Sequence, residues 1–201
     1  MNKNFTNLKV VLIEPSGPIN VGSIARLCAN FEVNELRIVS PQCDIFSIES
    51  KKMALKGKKY LDNCKIFSSL EQAISDCDLV IASSGRIDLG KDSSFESPEN
   101  IAKWILSFDQ VDNIAILFGR EDRGLSNSEL LFAQKTFTIK TSEKYPSLNL
   151  SHAVSVILYE LNKGKIIKSK KDSKVLNLAS SKQISDSFLE IEDILIRIGY
   201  L

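Results

Sequence analysis

Three polar segments of this sequence follow apolar runs and contain residues that can bind anions, orient groups or help move protons. The first, residues 14–26, contains Asn20, Gly22 and Arg26. Two prolines and a glycine lead there into a helical pattern, and a helix N-terminus with a nearby arginine is a natural phosphate site. The alternative is a helix that Asn20 merely caps and an Arg26 that is solvated.

The second segment, residues 117–126, places four consecutive charged residues between Gly119 and Gly124. Glycines at these positions let the backbone lie directly against a ligand. A glycine-bounded charged run after an apolar strand therefore predicts a binding loop that contains Glu121. A plain charged turn is the alternative interpretation.

The third segment, residues 145–153, contains Ser147, Asn149 and Ser151 ahead of a long apolar helix. Backbone amides at such a helix start can hold a carboxylate or an adenine edge, and simple capping is the alternative. His152 is the only histidine and has no evident acidic partner. We interpret it as a packed or capping residue and not as a general base.

The elements that must position these segments alternate between strands and helices. Apolar runs predict strands at residues 9–14, 36–39, 65–67, 78–82, 113–118 and 136–140. Helical spacing predicts helices at residues 21–31, 69–76, from 97 onward, 126–134 and 149–161, with a loop at 88–97. This alternation predicts an α/β fold with a parallel sheet covered on both faces. Ligands bind such sheets at the carboxyl ends of the strands.

Composition and absent motifs exclude several classes of protein. The chain has 201 residues and a formal net charge of +1, which suits one domain with a short appendage. No run approaches 18 apolar residues, and the N-terminus lacks the apolar stretch of a signal peptide, so a cytoplasmic location is expected. The glycine motifs of dinucleotide enzymes and P-loop NTPases and the nucleophile elbow of α/β-hydrolases are missing. The four cysteines have no metal-ligand spacing, so reduced thiols and no metal are expected.

The near-neutral charge hides an uneven distribution. Residues 163–182 contain seven lysines and one acid, Asp172, and another five lysines lie within residues 51–59. Both segments could track RNA phosphates, or they could be solvated surfaces. Beyond them, apolar residues recur at helical spacing up to Ile198, which predicts a terminal amphipathic helix that favours packing over RNA binding.

The three polar segments resemble, in order, the motifs of the SpoU (TrmH-type) branch of the SPOUT methyltransferases. The matching residues are Asn20-Val21-Gly22 through Arg26, Phe118-Gly119-Arg120-Glu121 through Ser126, and Ser147-Leu148-Asn149. The resemblance covers about residues 8 to 162. The opening Val11-Leu12-Ile13-Glu14-Pro15 and the Gly119-Arg120-Glu121 form look most like the TrmJ subgroup, which methylates the ribose at position 32 of tRNA anticodon loops.

The resemblance implies a fold and a cofactor site. The fold would be a SPOUT domain over residues 1–162 with a C-terminal deep trefoil knot, which pattern alone could never suggest because knots are almost absent from proteins. A basic linker at 163–182 and a helix at 183–201 would follow. S-adenosylmethionine would bind in the knot of a homodimer. Its binding residues would be Ser83, Ser84, Gly85, Gly119, Ile139, Ser147, Leu148 and Asn149.

The implied reaction is methyl transfer to a ribose 2′-oxygen of RNA, most closely tRNA position 32, with S-adenosylhomocysteine as product and no metal. Catalytic roles carry over to Arg26, Asn20, Glu121, Ser147 and Asn149. Arginine stays protonated in proteins and is a poor base. We therefore expect Arg26 to clamp the adjacent phosphate and stabilise developing oxyanion charge, while Asn20 and Glu121 position these groups.

Other functions remain open at this point. The same reaction could act on another tRNA position or on ribosomal RNA. A non-catalytic RNA-binding module on the same fold would not need the five candidate catalytic residues together. An unrelated small-molecule α/β enzyme is a third alternative, which stoichiometric binding of S-adenosylmethionine would make improbable.

Overall fold

The computed structural model of the protein describes residues 7–85, 95–108, 111–168 and 181–200. Within them, six strands form one sheet in which every pair is parallel. The strands are β1 (Asn7–Ile13), β2 (Glu35–Val39), β3 (Lys65–Phe67), β4 (Leu79–Ser83), β5 (Asn113–Phe118) and β6 (Lys135–Phe137). Their order across the sheet is β3-β2-β1-β5-β4-β6. The predicted parallel α/β architecture is therefore confirmed.

Eight α-helices and one 3-10 helix lie in the described residues. They are α1 (Pro18–Asn30), α2 (Ile48–Ala54), the 3-10 helix (Leu55–Gly57), α3 (Lys58–Asp62), α4 (Leu70–Ile74), α5 (Pro98–Leu106), α6 (Asn127–Leu130), α7 (Leu150–Lys168) and α8 (Ser181–Arg197). The predicted loop at 88–97 and the predicted linker at 163–182 fall largely outside the described residues.

Several elements differ from their predicted extents, among them α6, β6 and α7. Helix α6 ends at Leu130 instead of continuing to Gln134, because Gln134 lies at the sheet edge and exchanges hydrogen bonds with Val80. Strand β6 ends at Phe137, since the next residue, Thr138, donates to the backbone of Glu96. Helix α7 passes through the expected domain boundary at residue 162 and ends at Lys168.

Each face of the sheet has its own hydrophobic core. On one face, α1, α5 and α7 cover the alternate strand residues, with Leu12, Ile81 and Phe118 fully buried. On the other face, α4 covers a second cluster that includes Val11 and Leu117. Burial on both faces explains why the central strands are continuous apolar runs.

A charged cluster interrupts the second face. Lys9 and Arg37, both almost fully buried, share the carboxylate of Asp76 at 2.6 to 3.0 Å. Hydrogen bonding from Arg37 and Lys9 holds the pKa of Asp76 well below its usual range, although partial burial opposes this shift. Asn113 accepts a further hydrogen bond from Lys9, and Glu35 and the carbonyl oxygen of Ala73 accept from Arg37.

Replacing Asp76 by asparagine should lower the free energy of unfolding by about 2 kcal/mol, because two buried cations lose their shared anion. The half-exposed position of Asp76 keeps the expected loss below that of a fully buried pair. Urea denaturation measures the change. The control is Glu99→Gln, which breaks the exposed ion pair to Lys103 and should leave the free energy of unfolding nearly unchanged. Equal losses in the two variants would contradict the prediction.

All four cysteines are free thiols; Cys28 and Cys77 are buried, and Cys43 and Cys64 are partly buried. Burial raises the pKa of the Cys77 thiol to about 12. Among the described residues, no group of three or more metal-ligating side chains comes together. No helix in the same part of the chain is long and apolar enough to cross a membrane.

Candidate functional site

A cavity of about 400 Å³ opens at the carboxyl ends of β4, β5 and β6. Three loops form its walls, and they contain the second and third polar segments identified in the sequence. Its lining residues are Ser83, Ser84, Gly85, Phe118 through Leu125, Phe137, Ile139, Pro146, Ser147, Leu148, Leu150 and Ala153. This is the edge of a parallel sheet at which ligands bind, and the volume lies within the range of small-molecule sites.

Seven of the eight residues expected to hold the cofactor line this cavity. They are Ser83, Ser84, Gly85, Gly119, Ile139, Ser147 and Leu148. Asn149 is not part of the lining and instead faces the first polar segment through a hydrogen bond to Asn20.

The loop after β5 folds back on itself in a narrow turn. Gly124 donates to the carbonyl oxygen of Arg120 at 2.9 Å and has a φ of +68°, which favours glycine. A Cβ atom on Gly119 would lie 2.2 Å from the carbonyl carbon of Gly124. The two glycines therefore let the turn close and present its backbone to the cavity.

Glu121 projects from this turn and anchors the loop that precedes α1. Its two carboxylate oxygens accept hydrogen bonds at 3.1 Å from the backbone amides of Ser16 and Gly17, and from the side chains of Ser16 and Asn20. Burial raises the pKa of Glu121, but these hydrogen bonds outweigh it and leave the pKa below its usual value. Glu121 is therefore an ionised anchor at neutral pH and not a proton donor.

A continuous hydrogen-bonded chain joins the three polar segments. Asn20 donates to Glu121 and accepts from the side-chain amide of Asn149 at 3.0 Å. The side-chain oxygen of Asn149 in turn accepts hydrogen bonds from the backbone amide and the hydroxyl of Ser151, and Asn149 thereby caps the start of α7. The capping alternative is therefore observed for Asn149, whose side-chain oxygen caps α7 while its amide reaches Asn20.

The two remaining candidate catalytic residues, Arg26 and Ser147, are not part of these hydrogen bonds. Arg26 is exposed on α1, and its side chain forms no ion pair or hydrogen bond with any residue in the described part of the protein. Ser147 is exposed at the cavity wall. His152 is also exposed instead of packed, and only its backbone amide, at 3.4 Å from Asn149, takes part in the cap.

Arg120 organises the cavity wall, although it is not among the site residues predicted from the sequence. Its guanidinium bonds Glu14 at 2.6 and 2.7 Å and Glu129 at 2.9 Å, and both carboxylates have lowered pKa values, with hydrogen bonding from Arg120 among the causes. Glu14 has a φ of +46° at the end of β1, and Glu129 belongs to the capping box that Ser126 opens on α6. Arg120 therefore fastens the cavity wall to β1 and α6. The capping box was visible in the sequence, but the partner Glu14 lies 106 residues away.

Replacing Glu121 by glutamine should loosen the loop before α1, because an amide nitrogen would then face the donors of Ser16, Gly17 and Asn20. We expect backbone amide exchange at Ser16 and Gly17 to accelerate at least tenfold at neutral pH, as measured by NMR. Asp122→Asn is the matched control, since Asp122 is exposed on the same turn. Unchanged protection in the Glu121 variant would contradict the anchoring role.

Comparisons with known proteins place this geometry in context. Residues 7–159 match the model of the SpoU rRNA Methylase family. The tRNA (cytidine-2'-O-)-methyltransferase TrmJ of Methanocaldococcus jannaschii is 44% identical over 163 residues, which cover 79% of this chain and 69% of that protein. The protein of the same name from Sulfolobus acidocaldarius is 37% identical over 192 residues, which cover 94% of this chain and 77% of the relative. The crystal structure of TrmJ from Z. mobilis ZM4 superposes with a TM-score of 0.80 at 26% identity, covering 96% of this chain and 81% of that one.

Proposed function

Since this chain belongs to the SpoU rRNA methylase family, we propose that it is a tRNA 2′-O-ribose methyltransferase that uses S-adenosylmethionine as methyl donor. The product of the donor is S-adenosylhomocysteine. The observation that carries the proposal is the hydrogen-bonded chain from Glu121 through Asn20 to Asn149, which joins the first motif segment to the two segments that line the cavity.

The cavity suits the proposed methyl donor. Phe118, Phe137, Ile139 and Leu148 contribute apolar surface to its lining. Gly85 and Gly119 also belong to the lining, and backbone amide and carbonyl groups at glycines can recognise an adenine edge without interference from side chains. We expect Ser83, Ser84, Ser147 and Asn149 to complete the donor's polar contacts.

The bound donor supplies an electrophilic methyl group, so no metal is needed for activation. The protein has to align the ribose 2′-oxygen with that group while the C–S bond breaks, the O–C bond forms and the hydroxyl proton departs. Arg26 holds the phosphate next to the target ribose and stabilises the developing negative charge on the oxygen. The phosphate is the proposed proton acceptor, because arginine is a poor base in proteins.

The hydrogen bonds that link Glu121, Asn20 and Asn149 position the reacting groups. Glu121, ionised at neutral pH, fixes the loop at Ser16 and Gly17, and this loop sets the start of α1, the helix that carries Arg26. Ser147 lines the cavity, and Asn149 joins this segment to Asn20. The proposed roles thus divide between a rigid framework and an exposed arginine that the RNA can reach.

The finer architecture follows from the family. We propose a trefoil knot in the C-terminal part of the 1–162 domain, a homodimer with the site near the subunit interface, and an extension formed by residues 163–182 and 183–201. The exposure of Arg26 supports a site that the RNA or a second protomer completes. Within α8, the exposed apolar residues Phe188, Ile191 and Ile194 support packing as the role of the extension.

The proposed target is the ribose at position 32 of the tRNA anticodon loop, as the resemblance to the TrmJ subgroup implies. The test is incubation of unmodified tRNA with labelled S-adenosylmethionine, followed by mapping of the labelled ribose. We expect one labelled 2′-oxygen at position 32 and none in a tRNA with a 2′-deoxyribose there. Label at another position would reassign the target. Stoichiometric donor binding by calorimetry with no labelling of any RNA would instead indicate a non-catalytic binding module.

A further inference from the structure

The segment from α2 to α3 is fixed against α1 by two glycines whose backbones nearly touch their neighbours. A Cβ atom on Gly22 would lie 2.2 Å from the carbonyl oxygen of Ser50 in α2. A Cβ atom on Gly57, in the 3-10 helix, would lie 2.5 Å from the carbonyl oxygen of Ala25 and 2.6 Å from the Cα atom of Arg26. The segment therefore sits directly on the backbone of the proposed catalytic arginine.

Leu55 accepts a strained backbone to make this contact. Its φ of +48° is in the region that favours glycine, and its side chain is 58% exposed, so hydrophobic burial does not explain the conformation. The residue turns the chain from α2 into the 3-10 helix and brings Gly57 onto α1. Strain of this kind is typical of segments whose position matters for function.

The same segment has an uncompensated positive charge. Five lysines on it are exposed, namely Lys51, Lys52, Lys56, Lys58 and Lys59. None of them pairs with a carboxylate in the ranges that the structure describes, whereas Lys65, Lys103, Lys135 and Lys163 each do. Between residues 47 and 63 the only acids are Glu49 and Asp62, near the two ends.

We infer that the exposed lysines of residues 51–59, the lysine surface, form the track that holds RNA phosphates on the way to Arg26. This inference rests on the proposed function and specifies where the substrate is bound. Lys56 and Lys58 flank Gly57, so a strand bound on them continues onto the helix that carries Arg26. An acidic protein could also bind this positive surface, but the contact of Gly57 with the backbone of Arg26, the proposed catalytic arginine, favours the RNA substrate.

The test compares two double variants that each remove two positive charges. Lys56→Gln/Lys58→Gln alters the lysine surface, and Lys65→Gln/Lys103→Gln alters lysines already paired with carboxylates. Binding of unmodified tRNA is measured over a series of salt concentrations. We expect the first variant to bind at least tenfold more weakly and its salt slope to fall by about 0.7 to 0.9 per lost phosphate contact. The tRNA affinity of the control variant should stay within about twofold of that of the unaltered protein. Lys56→Arg/Lys58→Arg, which keeps both positive charges, should bind tRNA like the unaltered protein.

Two further measurements separate this inference from the proposed function. Calorimetric affinity for S-adenosylmethionine should be unchanged in every variant, and methylation at saturating tRNA should keep its kcat while KM rises. If the unaltered protein methylates tRNA but the lysine-surface variant keeps its affinity and salt slope, the track is overturned and the function stands. Equal losses in both double variants would also overturn it. If the unaltered protein binds donor and methylates no RNA, the proposed function fails first.

Discussion

Replacement of Arg26 by lysine is expected to lower the rate constant of methyl transfer by about 10²- to 10³-fold, the scale of losing one preorganised donor to a developing oxyanion. Lysine keeps the positive charge but replaces the planar fork by a single ammonium group, which cannot bind phosphate and the 2′-oxygen in the same fixed geometry. Because Arg26 has no ion pair or hydrogen bond in the described residues, its substitution should leave the fold intact.

Single-turnover methylation at saturating tRNA and donor measures this effect without contributions from binding. The donor affinity of the variant, determined by calorimetry, should equal that of the unaltered protein, since Arg26 does not line the cavity. Arg197→Lys on α8 is the matched control, because Arg197 is also exposed and pairs only with Asp193 within its own helix. A near-normal rate for the Arg26 variant would rule out the role of the guanidinium fork.

Local sequence signals predicted the parts of the structure that depend on neighbouring residues. Strand β5 has the predicted bounds, residues 113–118, because an unbroken apolar run suits a strand buried on both faces. Helices were predicted to start near residues 97 and 126, and both starts form with Ser97 and Ser126 as caps, whose hydrogen bonds reach only three residues along the chain. The strand ends then place the polar loops at one edge, as parallel topology requires.

Long-range contacts could not be predicted from pattern. Arg120 resembled one member of a charged turn, and its partner Glu14 became apparent only when β1 and β5 paired in register. Gly22 of the first motif packs against the backbone of Ser50 in α2, a contact between distant segments that the local pattern did not predict. The predicted end of α6 was wrong because the hydrogen bond between Val80 and Gln134 joins residues 54 positions apart.

Gly119→Ala is the substitution expected to damage the cavity most directly. The added methyl group would lie 2.2 Å from the carbonyl carbon of Gly124 and 2.3 Å from the amide nitrogen of Leu125, and neither atom belongs to a flexible side chain. The turn must therefore open, and opening it moves both Glu121 and the clamp that Arg120 makes with Glu14 and Glu129. We expect a loss of about 3 kcal/mol in the free energy of unfolding, which is at the upper end for overpacking.

The same substitution should weaken donor binding at least tenfold, because the displaced turn is one wall of the cavity and its backbone lies where the donor is proposed to bind. Urea denaturation and calorimetric titration with S-adenosylmethionine measure the two effects. Gly85→Ala is the control for stability: a Cβ atom there meets no atom within 4 Å, so the free energy of unfolding should change by less than about 0.5 kcal/mol. If Gly119→Ala unfolds like this control and binds the donor normally, the narrow turn is not what shapes the site. A loss of affinity with the stability unchanged would show instead that the turn can open at little cost and that the donor requires it closed.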